Sequence, residues 1–200
     1  MLIDHSDEPL LRLLVNATRQ AQLKGPALAE AHRDVGRQLA RSVARHLVLE
    51  DFEIQHVTGR STGVRLKAGA EPVILAVMLA GLFLAEGVWC LLPESSLLLH
   101  NDGTDLQGAS MHGRPLIIVD SVINTGRSIR DVLSAVSVLQ PASIAVVALV
   151  AYRANLQVLV DDFPDVFFHV ARLSDHSYVG RGTTDTGARL FGTTNWGSER

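Results

Sequence analysis

Between Pro115 and Ser128 the chain reads PLIIVDSVINTGRS, and few folds accommodate that order of residues. Leu116 to Val119 is an apolar run of strand length, of the kind buried on both faces in a parallel sheet. Asp120 ends the run, Asn124-Thr125-Gly126-Arg127-Ser128 follows, and an amphipathic helix is predicted over Ile129 to Leu139. A strand, a small polar turn and a helix start present backbone N–H groups and a positive helix end to a phosphate. Asp120, at the strand's carboxyl end, is placed to accept hydrogen bonds from sugar hydroxyls. The ligand this geometry suits is a phosphorylated ribose. The same residues also suit a plain strand-to-helix connection in which Thr125 or Ser128 caps the helix.

Two hundred residues give one domain, or one with a small appendage, and ample material for a core. A formal net charge of −3 provides no general attraction to nucleic acid or to anionic membranes, so an anionic substrate must be held by local positive groups. Cys90 is the one cysteine and has no internal disulfide partner, which fits a reducing cytoplasm; its apolar setting, VWCLL, predicts a core position. The N-terminal MLIDHSDEPL is acidic and lacks a signal-peptide core. Gly81, Glu86 and Gly87 interrupt the long apolar stretch from Val73 to Leu92, so it predicts strand, turn and helix and no membrane span.

In chain order, helices are predicted over Pro9 to Leu23 and Pro26 to Leu47, the second with Arg33, Arg37, Arg41 and Arg45 as a solvated or partner-facing stripe. Phe52 to Leu66 predicts a peripheral hairpin. The core follows: strand Pro72 to Met78, helix Gly81 to Leu92, strand Ser96 to His100, and an exposed, mobile loop over Asn101 to Arg114. After the central strand and its helix come strand Ser143 to Ala151, helix Ala154 to Asp161 and strand Asp165 to Leu173. That alternation predicts an α/β chain with a parallel, doubly wound sheet and ligands at the strands' carboxyl ends. The organisation expected is a single unit: N-terminal helices and arm over 1–70, an α/β core over 72–173, and a C-terminal hood over 174–200. The hood, rich in Gly, Thr and Ser, has no recognisable element but carries Tyr178, Leu190 and Phe191, and is expected to fold over the sheet's ligand end.

The central stretch resembles the 5-phosphoribosyl 1-pyrophosphate (PRPP) signature of type I phosphoribosyltransferases, and the single acid before Ser121 is closest to the uracil phosphoribosyltransferase branch. Tyr178 to Thr193 resembles, without a gap, that branch's base-recognition segment YIVPGLGDAGDRLFGT, matching at nine positions of sixteen. Ala80-Gly81-Leu82, Glu86-Gly87-Val88 and Leu91-Leu92-Pro93 resemble the family's RAGLxMxDGVLxLxP. Leu149-Val150-Ala151 and Phe163-Pro164-Asp165-Val166 fall where the family has LVAAPEG and HPDV, so the likeness covers essentially the whole chain.

The resemblance implies the type I phosphoribosyltransferase fold and an Mg²⁺-dependent pyrimidine-salvage reaction, uracil and PRPP giving UMP and pyrophosphate. Asp120 and Asp185 would stand at the reacting centre. PRPP would be bound by Leu79, Ala80, Gly81, Asp120, Ser121, Val122, Ile123, Asn124, Thr125, Gly126, Arg127, Ser128 and Asp185. Tyr178, Val179, Thr184, Asp185 and Thr186 would read uracil, largely through the main chain. Mg²⁺ would be held by PRPP and not directly by protein, and the partners expected are small molecules and a second copy of the chain in a homodimer. Several positions depart from the family. Leu79 replaces the arginine of RAGL, His100-Asn101-Asp102-Gly103 replaces a loop containing another arginine, and Arg181 and Thr184 replace a proline and a glycine of the hood. Arg127 and Arg181 are new cations, whereas Arg189 either serves the site or anchors the hood. These departures leave open a non-catalytic PRPP- or nucleotide-sensing relative, and a transferase acting on another base. An unrelated nucleotide-binding α/β protein is a further alternative, which would make the ungapped hood an accident.

Overall fold

The structure, a computed structural model, describes residues 1–101, 104, 106, 110–178 and 180–194. Its sheet is built from β1 (Leu2–Asp4), β4 (Val73–Val77), β5 (Ser96–His100), β6 (Pro115–Ile123), β7 (Ser143–Tyr152) and β8 (Val166–Ser174). The strands are parallel and run in the order β1-β8-β7-β6-β4-β5. Around them lie α1 (Pro9–Arg19), α2 (Gly25–Val43), α3 (Leu82–Trp89), α4 (Arg127–Ser137), α5 (Arg153–Asp162) and the short α6 (Thr186–Phe191). A separate antiparallel hairpin, β2 (Leu49–His56) and β3 (Gly59–Leu66), forms the expected arm.

Alternation along each strand divides the apolar side chains between two cores. Leu75, Ile118, Val146 and Phe168 face one way with Val132 and Leu133 of α4 and Leu156 of α5. Ile74, Ile117 and Val147 face the other, against Leu11, Val35, Leu39 and Leu84 of the first three helices. Helices α2 and α3 cross at their glycines: a Cβ on Gly36 would stand 2.2 Å from the Leu84 carbonyl oxygen, and one on Gly87 2.2 Å from that of Arg33. The same crossing is held by Arg33, whose Nε donates to Glu86 at 2.7 Å, so the arginine stripe of α2 is partly an interhelical clamp.

Three expectations need correction. The N-terminal segment, read as merely acidic, supplies strand β1, in register from Leu2 against Phe168 to Asp4 against Val170. A three-residue edge strand is too short to show a period. Cys90, expected in the core, is exposed. Helix α3 ends at Trp89, and Cys90 is its C-cap, the thiol donating to the Gly87 carbonyl at 3.2 Å. In the stretch over 101–114, expected to be exposed, Leu106 and Met111 are buried in the core beside Leu116. Two isolated apolar anchors among polar residues carry no pattern to be read.

Candidate functional site

Between β6 and β4 the chain order reverses, a switch point of the kind at which such sheets open a crevice at the strands' carboxyl ends. Strand β4 stays paired with β6 through Ala76 against Val119, whereas β7 accompanies β6 to Ile123 against Ala151. Asp120 is therefore three residues inside β6, not at its end, at the point where one neighbour stops. The residue keeps part of its surface open, yet enough protein packs around the carboxylate that burial pushes its pKa from 3.8 up to about 7. The Val122 N–H donates to Oδ1 at 3.4 Å and opposes that rise only weakly.

The β4–α3 loop forms the other wall. Ser121, fully buried, donates its hydroxyl to the Ala80 carbonyl at 2.7 Å and so ties this loop to β6. Gly81 lies so close that a Cβ there would be 2.4 Å from the Val119 carbonyl oxygen and 3.2 Å from the Asp120 Cα. Leu79 is exposed on this loop, and the Met78–Leu79 peptide is cis.

Beyond β6, Gly126 turns the chain in the left-handed region, with φ +75°, and occupies the N-cap of α4. Space as well as φ demands glycine, because a Cβ would come 2.8 Å from Leu159 Cδ1. Neither Thr125 nor Ser128 caps the helix. A long contact at this end runs from the Arg127 N–H to Thr125 Oγ1, at 3.4 Å. The eleven-residue helix thus begins without a side-chain cap from its N-cap residue, and its positive end lies at the Gly126 turn. Arg127 itself extends to the surface, 3.7 Å from Asp131.

The hood folds over the carboxyl end, as expected, and contains an element that its composition concealed. Asp185 caps α6, its Oδ1 accepting the Ala188 N–H at 2.7 Å, and Gly192 closes that helix with φ +69°. Leu190 is buried with Leu28 and Ala29 of α2, and Phe191 stacks on Phe83 of α3, ring centroids 5.3 Å apart. Arg189 donates through Nη2 to the carbonyls of Gln20 and Leu23 at 2.7 and 2.9 Å, which assigns it to anchoring the hood on the α1–α2 link. Asn124 fastens the hood to the turn after β6: its Oδ1 accepts the Tyr178 N–H at 3.0 Å, while its own carbonyl accepts Asn155 Nδ2 at 2.8 Å.

Beneath the hood is a cavity of about 420 Å³. Val122, Ile123, Asn124, Tyr178, Thr184 and Thr186, all expected to touch ligand, line it. Leu79, Ala80, Gly81, Asp120, Ser121, Thr125, Gly126, Arg127, Ser128 and Asp185, also expected to touch ligand, do not line it; β6 carries Asp120 next to the cavity residues Val122 and Ile123. Val179 lies outside the described residues, as do Asp102 and Gly103. Among the cavity residues that sequence reasoning missed are Arg172 of β8, His32 of α2 and Arg19 of α1. His32 is buried, and its Nδ1 lies 2.9 Å from the Leu28 carbonyl oxygen. Since a carbonyl only accepts, Nδ1 carries the proton and Nε2 is left as an acceptor. Burial lowers the His32 pKa to about 4, so the ring is neutral near pH 7.

This architecture can be set beside known proteins. The sequence profile of the family Uracil phosphoribosyltransferase matches residues 5–193. The chain belongs to the uracil phosphoribosyltransferase family. It is a divergent member: the uracil phosphoribosyltransferase of Staphylococcus epidermidis is 30% identical over 94% of this chain and 96% of that protein. That of Bacillus thuringiensis is 27% identical over the same shares. Among solved structures, a protein of Aquifex aeolicus superposes with a TM-score of 0.82 at 21% identity, covering 96% of this chain and 98% of that one. Mycobacterium tuberculosis orotate phosphoribosyltransferase, solved with PRPP, gives 0.55 at 11% identity over 86% and 93%. At such identities these two likenesses speak to the fold alone, that of the type I phosphoribosyltransferases. Among the described residues no helix is long and apolar enough to cross a membrane.

Proposed function

We propose that the chain transfers the phosphoribosyl group of PRPP to N1 of uracil, giving UMP and pyrophosphate. The observation that carries this reading is that β6 bears Asp120, then Val122 and Ile123 on the wall of the cavity beneath the hood, and leads directly into the Gly126 turn at the start of α4. Asp120 would hold the ribose hydroxyls, and the amides from Thr125 to Ser128 would cradle the 5′-phosphate. Val122, Ile123 and the hood residues would position the base, while Leu79, Ala80 and Gly81 would face the pyrophosphate. In the transfer, the C1′–O bond to pyrophosphate breaks, the N1–C1′ bond forms, and the N1 proton leaves to solvent. The transition state is oxocarbenium-like and needs no protein nucleophile. The protein contributes orientation and excludes water under the hood.

Mg²⁺ belongs to this reading as a companion of PRPP. Among the described residues no cluster of three or more His, Cys, Asp or Glu could hold a metal ion, and Asp120 is the carboxylate on the crevice. That donor set suits a hard cation carried mainly on the oxygens of its substrate. When bound, the ion would offset charge on the departing pyrophosphate. The exposed Leu79 favours a second reading, in which the same site binds PRPP but turns over slowly for want of a cation on the pyrophosphate side. Losing one such contact costs about two to three decades in rate.

The test is UMP formation from uracil, PRPP and Mg²⁺, run beside PRPP binding by calorimetry. Turnover supports the transferase, and binding without turnover supports the second reading. Absence of PRPP binding overturns both. Leu79→Arg should raise turnover if the missing cation is limiting.

A further inference from the structure

We propose that the cavity beneath the hood is built for an acceptor bearing an anionic group, a carboxylated nitrogen heterocycle, and that Arg172 recognises the carboxylate. The inference rests on the proposed reading of this cavity as the acceptor compartment, and departs from it in one respect: the preferred acceptor is a carboxylated relative of uracil and not uracil itself.

Arg172 projects from β8 into the cavity, partly buried, and its Nε has no hydrogen-bond partner among the described residues. A guanidinium presents five donors in a fixed fork, and burying it without an acid is costly. Such side chains are normally paired. Here the charge that acts on Arg172 is that of another cation, Arg19, which lines the same cavity and takes part in no ion pair among the described residues. Arg189 adds a third guanidinium, spending Nη2 on two carbonyls but leaving its buried Nε without a partner. No Asp or Glu is among the described residues that line the cavity. A compartment with three arginines and no carboxylate lacks an anion, and a neutral pyrimidine does not supply one.

His32 completes the complement. With Nδ1–H committed to the Leu28 carbonyl, its Nε2 is a buried acceptor without a partner among the described residues, on the wall of the same cavity. An occupant that satisfies both poles carries a carboxylate for Arg172 and an N–H for His32. A carboxylated pyrimidine has both. Its fork-to-fork pairing with a guanidinium gives a charge-assisted contact worth about 1.5–3 kcal/mol, or roughly 10- to 100-fold in affinity.

The experiment compares uracil with its two ring-carboxylated forms, orotate and 5-carboxyuracil. Binding to the protein is measured by calorimetry, with and without PRPP and Mg²⁺, and transfer by release of pyrophosphate. At least one carboxylated form should bind about 10-fold or more tightly than uracil. Arg172→Gln should reduce that ratio about 10- to 100-fold, and Arg172→Lys, which keeps charge but not the fork, should fall between. Thermal unfolding verifies that each variant is folded. Uracil bound as well as or better than both acids, or a ratio unmoved by Arg172→Gln, overturns the inference. PRPP affinity is read separately. Preference for the acid without any transfer leaves the inference standing and removes the transferase reading, whereas transfer to uracil without such preference does the reverse.

Discussion

Asp120→Asn isolates what it costs to keep a carboxylate in the crevice. Burial raises the Asp120 pKa from an ordinary 3.8 to about 7. Below the lower value both folded and unfolded chains hold the proton. As the pH climbs, the unfolded chain releases it first and gains stability relative to the fold by about 1.4 kcal/mol per unit, until the folded pKa is passed. Between pH 5 and pH 8 the wild-type protein should therefore lose about 3 kcal/mol that the asparagine variant keeps. That is a ceiling, because the residue retains some open surface. For a domain of this size it corresponds to roughly 6–12 °C in Tm. The assay is urea unfolding of both proteins at the two pH values. Subtracting variant from wild type at each pH cancels every other titrating group, and taking the difference between pH values cancels the fixed effect of the new amide. PRPP with Mg²⁺ should raise the Tm of wild type and not of the variant, since the group that burdens the empty fold is the one proposed to hold ribose. A wild-type-minus-variant difference that stays constant from pH 5 to pH 8 would refute the reasoning.

Other substitutions read other parts of the molecule. Gly87→Ala places a methyl 2.2 Å from the Arg33 carbonyl oxygen, so the α2–α3 crossing must open; a loss of about 1–3 kcal/mol in urea unfolding is expected. Asp185→Ala removes the α6 cap, worth about 0.5–2 kcal/mol, and should speed hydrogen exchange at the Ala188 amide, whereas Asp185→Asn keeps an acceptor and should not. His32 and His169 are held neutral by burial, with pKa values lowered from 6.5 to about 4 and about 3. As pH falls below 6.5 the unfolded chain takes up these protons first, so each histidine should remove about 2 kcal/mol by pH 5. His169→Gln should remove one such contribution from the pH profile, while Asp120 pulls the wild-type profile the opposite way.

Much of the architecture was legible because the responsible residues are contiguous. PLIIV reads as a buried strand wherever it occurs, the NTGRS turn follows it directly, and the N-terminal helices repeat their apolar residues at helical spacing. The hood's place was likewise legible, through Leu190 and Phe191, although α6 was not, because six residues held by one aspartate cap give no period. The cavity's cations were hidden for a different reason. Arg172 sits in a mostly apolar strand and His32 in an amphipathic helix, and nothing local distinguishes either from a residue facing solvent. They meet only because β8 and α2 pack together, and Arg19 joins them from the end of α1. Strand β1 escaped notice for a related reason, since its partner β8 lies at the other end of the chain.

Asn124 has a consequence for the order of events. Along the backbone it is 54 residues from Tyr178, yet a single amide group joins the two. Whatever rearranges the turn on which Asn124 sits therefore pulls directly on the first residues of the cover, and a displaced cover tugs on the turn. On the proposed reading, a phosphate that shifted the turn would be felt in the acceptor cavity through this one hydrogen bond of 3.0 Å.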